Sequence, residues 1–395
     1  MKRQLLHTPE GVRDIYNDEC EKKMLLQDQL YHILRLHGYH PIQTPTFEFF
    51  DIFGREIGTT PSKDLYKFFD REGNTLVLRP DITPSIARCA AKYFGEEELP
   101  IRLCYMGNTF INNSSYQGRL KECTQLGAEL LGDPSVDADA EMISMVISCL
   151  KAAGLKEFQL SIGHADFFRG LMEAAGLLEE QEEELRELIS NKNFFGVEEF
   201  VETLNLEENL KNLFGMLGNL YTGSDELSAA RECAASYPRI LKAIGDLEEL
   251  HKILEVYEVS RYVSFELGTI SNYQYYTGII FAGYTFGSGE AIVKGGRYDR
   301  LLNCFGKDSA SIGFAFVIDQ LMAALQRQKI DVPVERCVEL MVYKSAKRQT
   351  AITAAATARA AGRCVELMLW DETKQRKDYE DYAARSRMTN VQFFA

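Results

Sequence analysis

Four polar side chains stand out by type and spacing. On an apolar stretch that reads RLCYMGNTFINNSSYQGRLKECTQLGAELLG over 102–132, Gln125 and Glu129 are four residues apart. In a strand that spacing puts both on one face. Glu129 lies between Ala128 and Leu130, so its carboxylate is expected to face a cavity and not water. Upstream, Arg79-Pro80-Asp81-Ile82-Thr83 places an acid and a hydroxyl just ahead of an expected helix over 84–93. Capping of that helix is the plain alternative for Asp81. Downstream, Tyr275 and Tyr276 add two phenols, which as strand residues would otherwise pack on alternate faces. Carboxylates, an amide, a hydroxyl and phenols are hydrogen-bonding groups for a small polar ligand.

Other chemistries find less support. His32, His37 and His40 have no spacing that suits a metal site. Gly287-Ser288-Gly289 reads as a hairpin turn, since no Gly-Lys-Ser/Thr follows. Leu-Met-Leu-Trp-Asp-Glu-Thr over 367–373 has a strand and two acids but no phosphate loop after them. No metal, cofactor or catalytic residue is expected. In Gly295-Gly296-Arg297-Tyr298-Asp299 the two glycines permit close backbone approach beneath a ligand.

The elements that must hold these groups are legible in outline. The 102–132 stretch reads as a long antiparallel hairpin: a strand over 103–111, a turn over 112–118 and a return strand over about 120–131. A helix is expected over 18–37, with Leu26, Leu30, Ile33 and Leu34 as its apolar stripe and Gly38 as its stop. Two prolines then draw 40–45 into an extended edge. Short strands over 65–69 and 75–78, a helix over 137–153 and a strand over 158–163 follow. From 165 to about 257 the pattern is mostly helical, and its acidic run over 179–187 reads as a solvated face. After Pro333 the order is strand, helix, strand, helix, strand.

Composition sets bounds. The chain of 395 residues is 46% hydrophobic and 26% charged, with a net charge of −14, so a broad basic footprint for nucleic acid is not expected. Nine cysteines without Cys-x-x-Cys spacing point to reduced thiols and a cytoplasmic protein. Neither a signal peptide nor a membrane span is evident.

The hairpin resembles motif 2 of the class II aminoacyl-tRNA synthetases, most closely histidyl-tRNA synthetase. Gly118, Arg119, Gln125 and Glu129 match. The helix and proline-interrupted strand resemble motif 1, and Ile-Gly-Phe-Ala-Phe-Val-Ile-Asp-Gln-Leu over 312–321 resembles motif 3. Asp81 and Thr83 match the family's Arg-Pro-Glu-x-Thr, Tyr275 to Gly278 its Tyr-Tyr-Thr-Gly, and Gly295 to Asp299 its GGRYD. The resemblance implies an α/β fold: a mixed, largely antiparallel sheet flanked by helices over 1–330, with a helical insertion over about 165–257. The small βαβαβ module over 331–395 is similar to a shortened anticodon-binding domain.

The resemblance also implies a division within the site. The family's three arginines that handle ATP are replaced by Ile111, Ser271 and Gln320, with Asn113 and Ser114 in place of the turn's Glu and Arg. Losing one preorganised electrostatic group typically slows a reaction about 10²–10³-fold, so aminoacylation is expected to be absent. Asp81, Thr83, Gln125, Glu129, Tyr275 and Tyr276 remain, on the side that holds histidine. This pattern is similar to the regulatory subunits of ATP phosphoribosyltransferase. It implies a noncatalytic activator needed for the first step of histidine biosynthesis. Its expected partners are a short-form catalytic subunit and L-histidine as effector, with a homodimer inside a larger hetero-oligomer. The alternatives are a diverged histidyl-tRNA synthetase and a synthetase-like tRNA sensor. The charge and the shortened module count against tRNA.

Overall fold

The computed structural model describes residues 6–54, 60–94, 100–113, 119–269, 276–334 and 337–395. The chain divides into two compact units, Met1–Val332 and Pro333–Ala395.

The first unit opens with α1 (Asn17–Leu36), whose Leu26, Leu30 and Leu34 are fully buried. It is followed by β1 (His40–Pro41), β2 (Phe47–Phe49), β3 (Lys67–Phe69), β4 (Thr75–Leu78) and α2 (Thr83–Tyr93). The hairpin is β5 (Ile101–Phe110) with β6 (Glu122–Leu131), antiparallel along all ten paired positions. Next come α3 (Val136–Ala152), β7 (Phe158–His164), α4 (Ala165–Ala175), α5 (Glu179–Ser190), α6 (Phe194–Glu202), α7 (Glu208–Gly215), β8 (Leu220–Tyr221), α8 (Ser228–Cys233), α9 (Pro238–Val256) and β9 (Val263–Glu266). The unit finishes with β10 (Ile279–Thr285), β11 (Val293–Arg297), β12 (Ser311–Val317) and α10 (Ile318–Arg327). Nine strands form one sheet in the order β1-β5-β6-β12-β11-β10-β7-β9-β8. Among the described residues of this sheet, only β1 with β5 and β7 with β9 pair in parallel. The 165–257 stretch is helical apart from β8, which adds an edge strand to this sheet.

Register explains how the sheet serves two purposes. Side chains alternate along a strand, so each strand contributes one set to each face. Leu126, Ala128 and Leu130 share a face with Ile312, Phe314 and Phe316, Ile279 and Phe281, and Leu160 and Ile162. This face is apolar and packs with buried residues of α1, α3 and α9 into the main core. The opposite face carries Gly107, Gln125, Gly127, Glu129, Gly313, Gly296 and Gly163. It also carries Leu103, Tyr105, Leu131 and Ile280, which pack with Ile82 and Ile86 at the start of α2 into a second apolar cluster around the polar groups. The core face therefore supplies the hydrophobic stabilisation, which leaves the other face free for a site.

A buried ion pair locks the sheet to α3. Arg297 donates from Nε and Nη2 to Asp139 Oδ1 at 2.9 and 2.6 Å, and its remaining N–H groups reach the Asp133 and Ser135 carbonyls. The second unit holds β13 (Val338–Tyr343), α11 (Arg348–Ala360), β14 (Cys364–Leu369), α12 (Arg376–Arg385) and β15 (Asn390–Phe394). Its strands are parallel in the order β14-β13-β15. Leu340 and Val342 of β13 pack against Tyr379 and Ala383 of α12, and Met341 packs against Ala355 and Ala358 of α11.

Candidate functional site

The polar face of the sheet brings Glu129 and Thr83 into direct contact. Glu129 is fully buried at the middle of the sheet, with Leu103 of β5 on one side and Gly313 of β12 on the other. Its Oε1 accepts from Thr83 Oγ1 at 2.9 Å and its Oε2 from the Tyr298 hydroxyl at 2.5 Å. Thr83 is the first residue of α2, so the positive end of that helix faces the carboxylate. Asp81 stands just before it, and its Oδ1 accepts the backbone N–H of Ile82 at 2.7 Å and that of Thr83 at 3.4 Å. Asp81 thus holds the N–H groups at the entry to α2 and is also buried beside Glu129. Among the described residues no hydrogen bond to Asp81 Oδ2 is present, and no Lys, Arg or His pairs with either acid.

Two buried acids without a cation hold their protons tightly. Burial pushes Glu129 up to about 8; the Tyr298 and Thr83 hydroxyls oppose the shift and the nearby Asp81 adds to it. Burial pushes Asp81 up to about 6, against the two backbone N–H groups. Burial also raises the Tyr105 and Tyr298 phenols well above their ordinary value, with Glu129 adding to both shifts.

A floor of glycines lets these groups lie flat. A Cβ on Gly127 would come within 2.6 Å of the Tyr105 hydroxyl, and one on Gly296 within 2.8 Å of the Tyr276 ring. A Cβ on Gly163 would meet Thr269 at 2.5 Å, and one on Gly313 would overlap Glu129 Oε2 outright. The Arg79 guanidinium lies over Gly107 in the same way. Gly295 and Gly296, expected from sequence to let the backbone approach a ligand, have protein neighbours. The space beside Gly295 is instead taken by Phe281 on the apolar face, and that beside Gly296 by Tyr276. Of the expected residues, Asp81, Thr83, Glu129 and Tyr276 are therefore gathered at one end of the polar face. Gln125 lies on the same face, four residues along β6 from Glu129, and its Oε1 is buried with no hydrogen-bond partner. Tyr275 and Ser271 lie outside the described residues, as do Ser114 and Gly118 of the hairpin turn.

Two contributors escaped the sequence reading. Tyr298 holds Glu129 directly, and Tyr105, opposite Gly127, turns a buried hydroxyl without a well-formed hydrogen bond toward the same carboxylate. Tyr298 lies within the GGRYD motif, a signal that could have found it; Tyr105 reads as one more strand aromatic.

The positions expected to lack phosphate-binding groups have other tasks. Ile111 continues the hairpin with an N–H to the Lys121 carbonyl at 2.9 Å. Asp319 pairs with Lys23 of α1 at 2.7 Å and accepts the Thr124 N–H at 2.7 Å, so motif 3's acid ties helix to hairpin. Gln320 is half-buried in the first turn of α10. All nine cysteines are free.

Comparisons with known proteins agree with this architecture. A profile of the histidyl-tRNA synthetase family matches residues 11–321. An ATP phosphoribosyltransferase regulatory subunit from Acetivibrio thermocellus is 42% identical over 365 residues, covering 92% of this chain and 86% of its own. One from Ruminiclostridium cellulolyticum is 38% identical over 391 residues, covering 99% and 93%. A crystal structure from Bacillus halodurans, described as an ATP phosphoribosyltransferase regulatory subunit/histidyl-tRNA synthetase, is 32% identical with a TM-score of 0.86, covering 99% of this chain and 98% of that one. Histidyl-tRNA synthetase from Nostoc, at 18% identity and a TM-score of 0.80, shares the fold. The chain belongs to the ATP phosphoribosyltransferase regulatory subunits, a family built on the histidyl-tRNA synthetase fold.

Proposed function

We propose that this protein is the noncatalytic, histidine-sensing activator of ATP phosphoribosyltransferase at the first step of histidine biosynthesis. The observation that carries the histidine reading is the pair of buried acids on the polar face. Asp81 leaves one oxygen for an ammonium group, and Glu129 leaves acceptor capacity for a ring N–H. The unpartnered Gln125 Oε1 provides further hydrogen-bonding capacity on the same face. Tyr276, buried on this face beside Gly296, would contact the ring, and Tyr275 is proposed with it as a histidine-binding residue. Ile111 and Gln320, together with Ser271, provide no cation for a triphosphate, which supports a sensor that does not activate the amino acid. Its partner is a short-form catalytic subunit, in a cytoplasmic hetero-oligomer that contains a homodimer of this chain. No helix of the described residues is long and apolar enough to cross a membrane.

The direct test is phosphoribosyl-ATP formation by the short-form catalytic subunit, alone, with this protein, and with this protein plus L-histidine. Activity only with both proteins, falling as histidine rises, is the expected result. Measurable histidine-dependent ATP–pyrophosphate exchange by this protein alone would refute the noncatalytic reading. An Ala at position 129 that leaves histidine inhibition unchanged would place the sensor elsewhere.

A further inference from the structure

The polar face poses a charge problem for the ligand. An amino-acid ammonium placed on Asp81 neutralises that acid and leaves Glu129, fully buried, with no counter-charge. The groups around Glu129 can be named from each side. Asp81 and Thr83 come from the start of α2, Tyr105 from β5 and Tyr298 from the segment after β11. Tyr39, ahead of β1, feels the same charge. β12 contributes Gly313. None of these is a base. An isolated buried carboxylate is strongly disfavoured unless it is paired or protonated.

The hydrogen bonds indicate which form the complex takes. Thr83 donates to one oxygen and Tyr298 to the other, and the Tyr105 hydroxyl faces the same group. Once the ligand's ring N–H joins Thr83 and Tyr298 as a donor to this group, the set suits a carboxylate. A neutral carboxyl would have to donate through one of its oxygens and turn a hydroxyl away. We infer that the ligand's imidazole is held as an imidazolium paired with Glu129, and that near neutral pH its second ring proton comes from Glu129 itself. In that step the Glu129 O–H bond breaks and an N–H bond forms on the unprotonated ring nitrogen. No proton enters or leaves the complex. The inference rests on the histidine reading above and deepens it.

Proton counting and ¹⁵N spectra test it together on the full-length protein: the count shows that ring and Glu129 share one proton, and the spectra show which of them holds it. The probe is L-histidine, titrated calorimetrically in two buffers of different ionisation enthalpy at about pH 5.5, 7.2 and 9. Free imidazole titrates near 6.5, below the acid it meets. At the lowest pH both ring and carboxyl arrive protonated, so about one proton is released, with more from Asp81. Near 7.2 the count is about zero, and at 9 about one proton is taken up by the ring, with more from the ligand's own α-amino group. Affinity is therefore greatest between these limits and falls at least about tenfold per pH unit above 8. Glu129→Gln lowers the uptake at pH 9 by about one proton, the ring's share. Because that variant risks poor folding, ¹⁵N spectra of labelled histidine on the unaltered protein provide a second readout, with both ring nitrogens protonated at pH 7.2. A neutral ring there, or counts of zero at all three pH values with histidine bound, overturns the inference and leaves the histidine reading standing. Failure of histidine to bind at any pH overturns both.

Discussion

Replacing Gly313 by Ala should disable the site from the neighbouring strand. Gly313 is the registered neighbour of Glu129, and its added methyl would overlap Oε2. Glu129 would have to rotate or the strands separate. Rotation breaks the bonds from Thr83 and Tyr298 and leaves a buried acid unsatisfied. Leaving a buried polar group without a partner costs roughly 1–3 kcal/mol, so losing two bonds costs about 2–6 kcal/mol, shared between folding and binding. Urea unfolding and histidine titration would separate the two shares. A double-mutant cycle isolates the cause. If the clash with Glu129 is the whole effect, Gly313→Ala should cost less than about 1 kcal/mol in a Glu129→Ala background, with a coupling of about 2–4 kcal/mol. A Gly313→Ala protein with unchanged stability and histidine affinity would refute the account of the glycine floor. Additive costs would show that the methyl acts through the backbone and not through Glu129.

Stability of the unliganded protein should rise as pH falls from about 8 towards 5. Glu129 and Asp81 have raised values in the folded state, so there the folded protein binds more protons than the unfolded chain does. Thermal melts across that range should show the trend, and Glu129→Gln should flatten it. Arg297→Ala, which strands buried Asp139, should destabilise by about 3–5 kcal/mol in urea titrations. Tyr298→Phe should keep the fold but weaken histidine binding roughly tenfold, measured by calorimetry, because one donor to Glu129 is lost. Lys23→Ala should cost about 1–3 kcal/mol in the same unfolding assay, since it uncovers the part-buried Asp319 that joins α1 to the hairpin.

Much of this protein was legible in its sequence because the signals are local. The apolar stripe of α1, the long hairpin and the βαβαβ order after Pro333 follow from periodicity and turn residues, which the chain carries without reference to distant segments. Glu129 also announced itself, since a carboxylate between Ala128 and Leu130 on an apolar strand has few solvated options. What surrounds it did not. Thr83 and Tyr298 are 46 and 169 residues away, and only strand order and register bring them to its two oxygens. The same holds for Asp319, whose part in joining α1 to β6 depends on Lys23, 296 residues away in sequence. Spacing along a strand shows which face a residue occupies. What lies across that face is set by pairing between strands far apart in the chain, and only the assembled sheet fixes it.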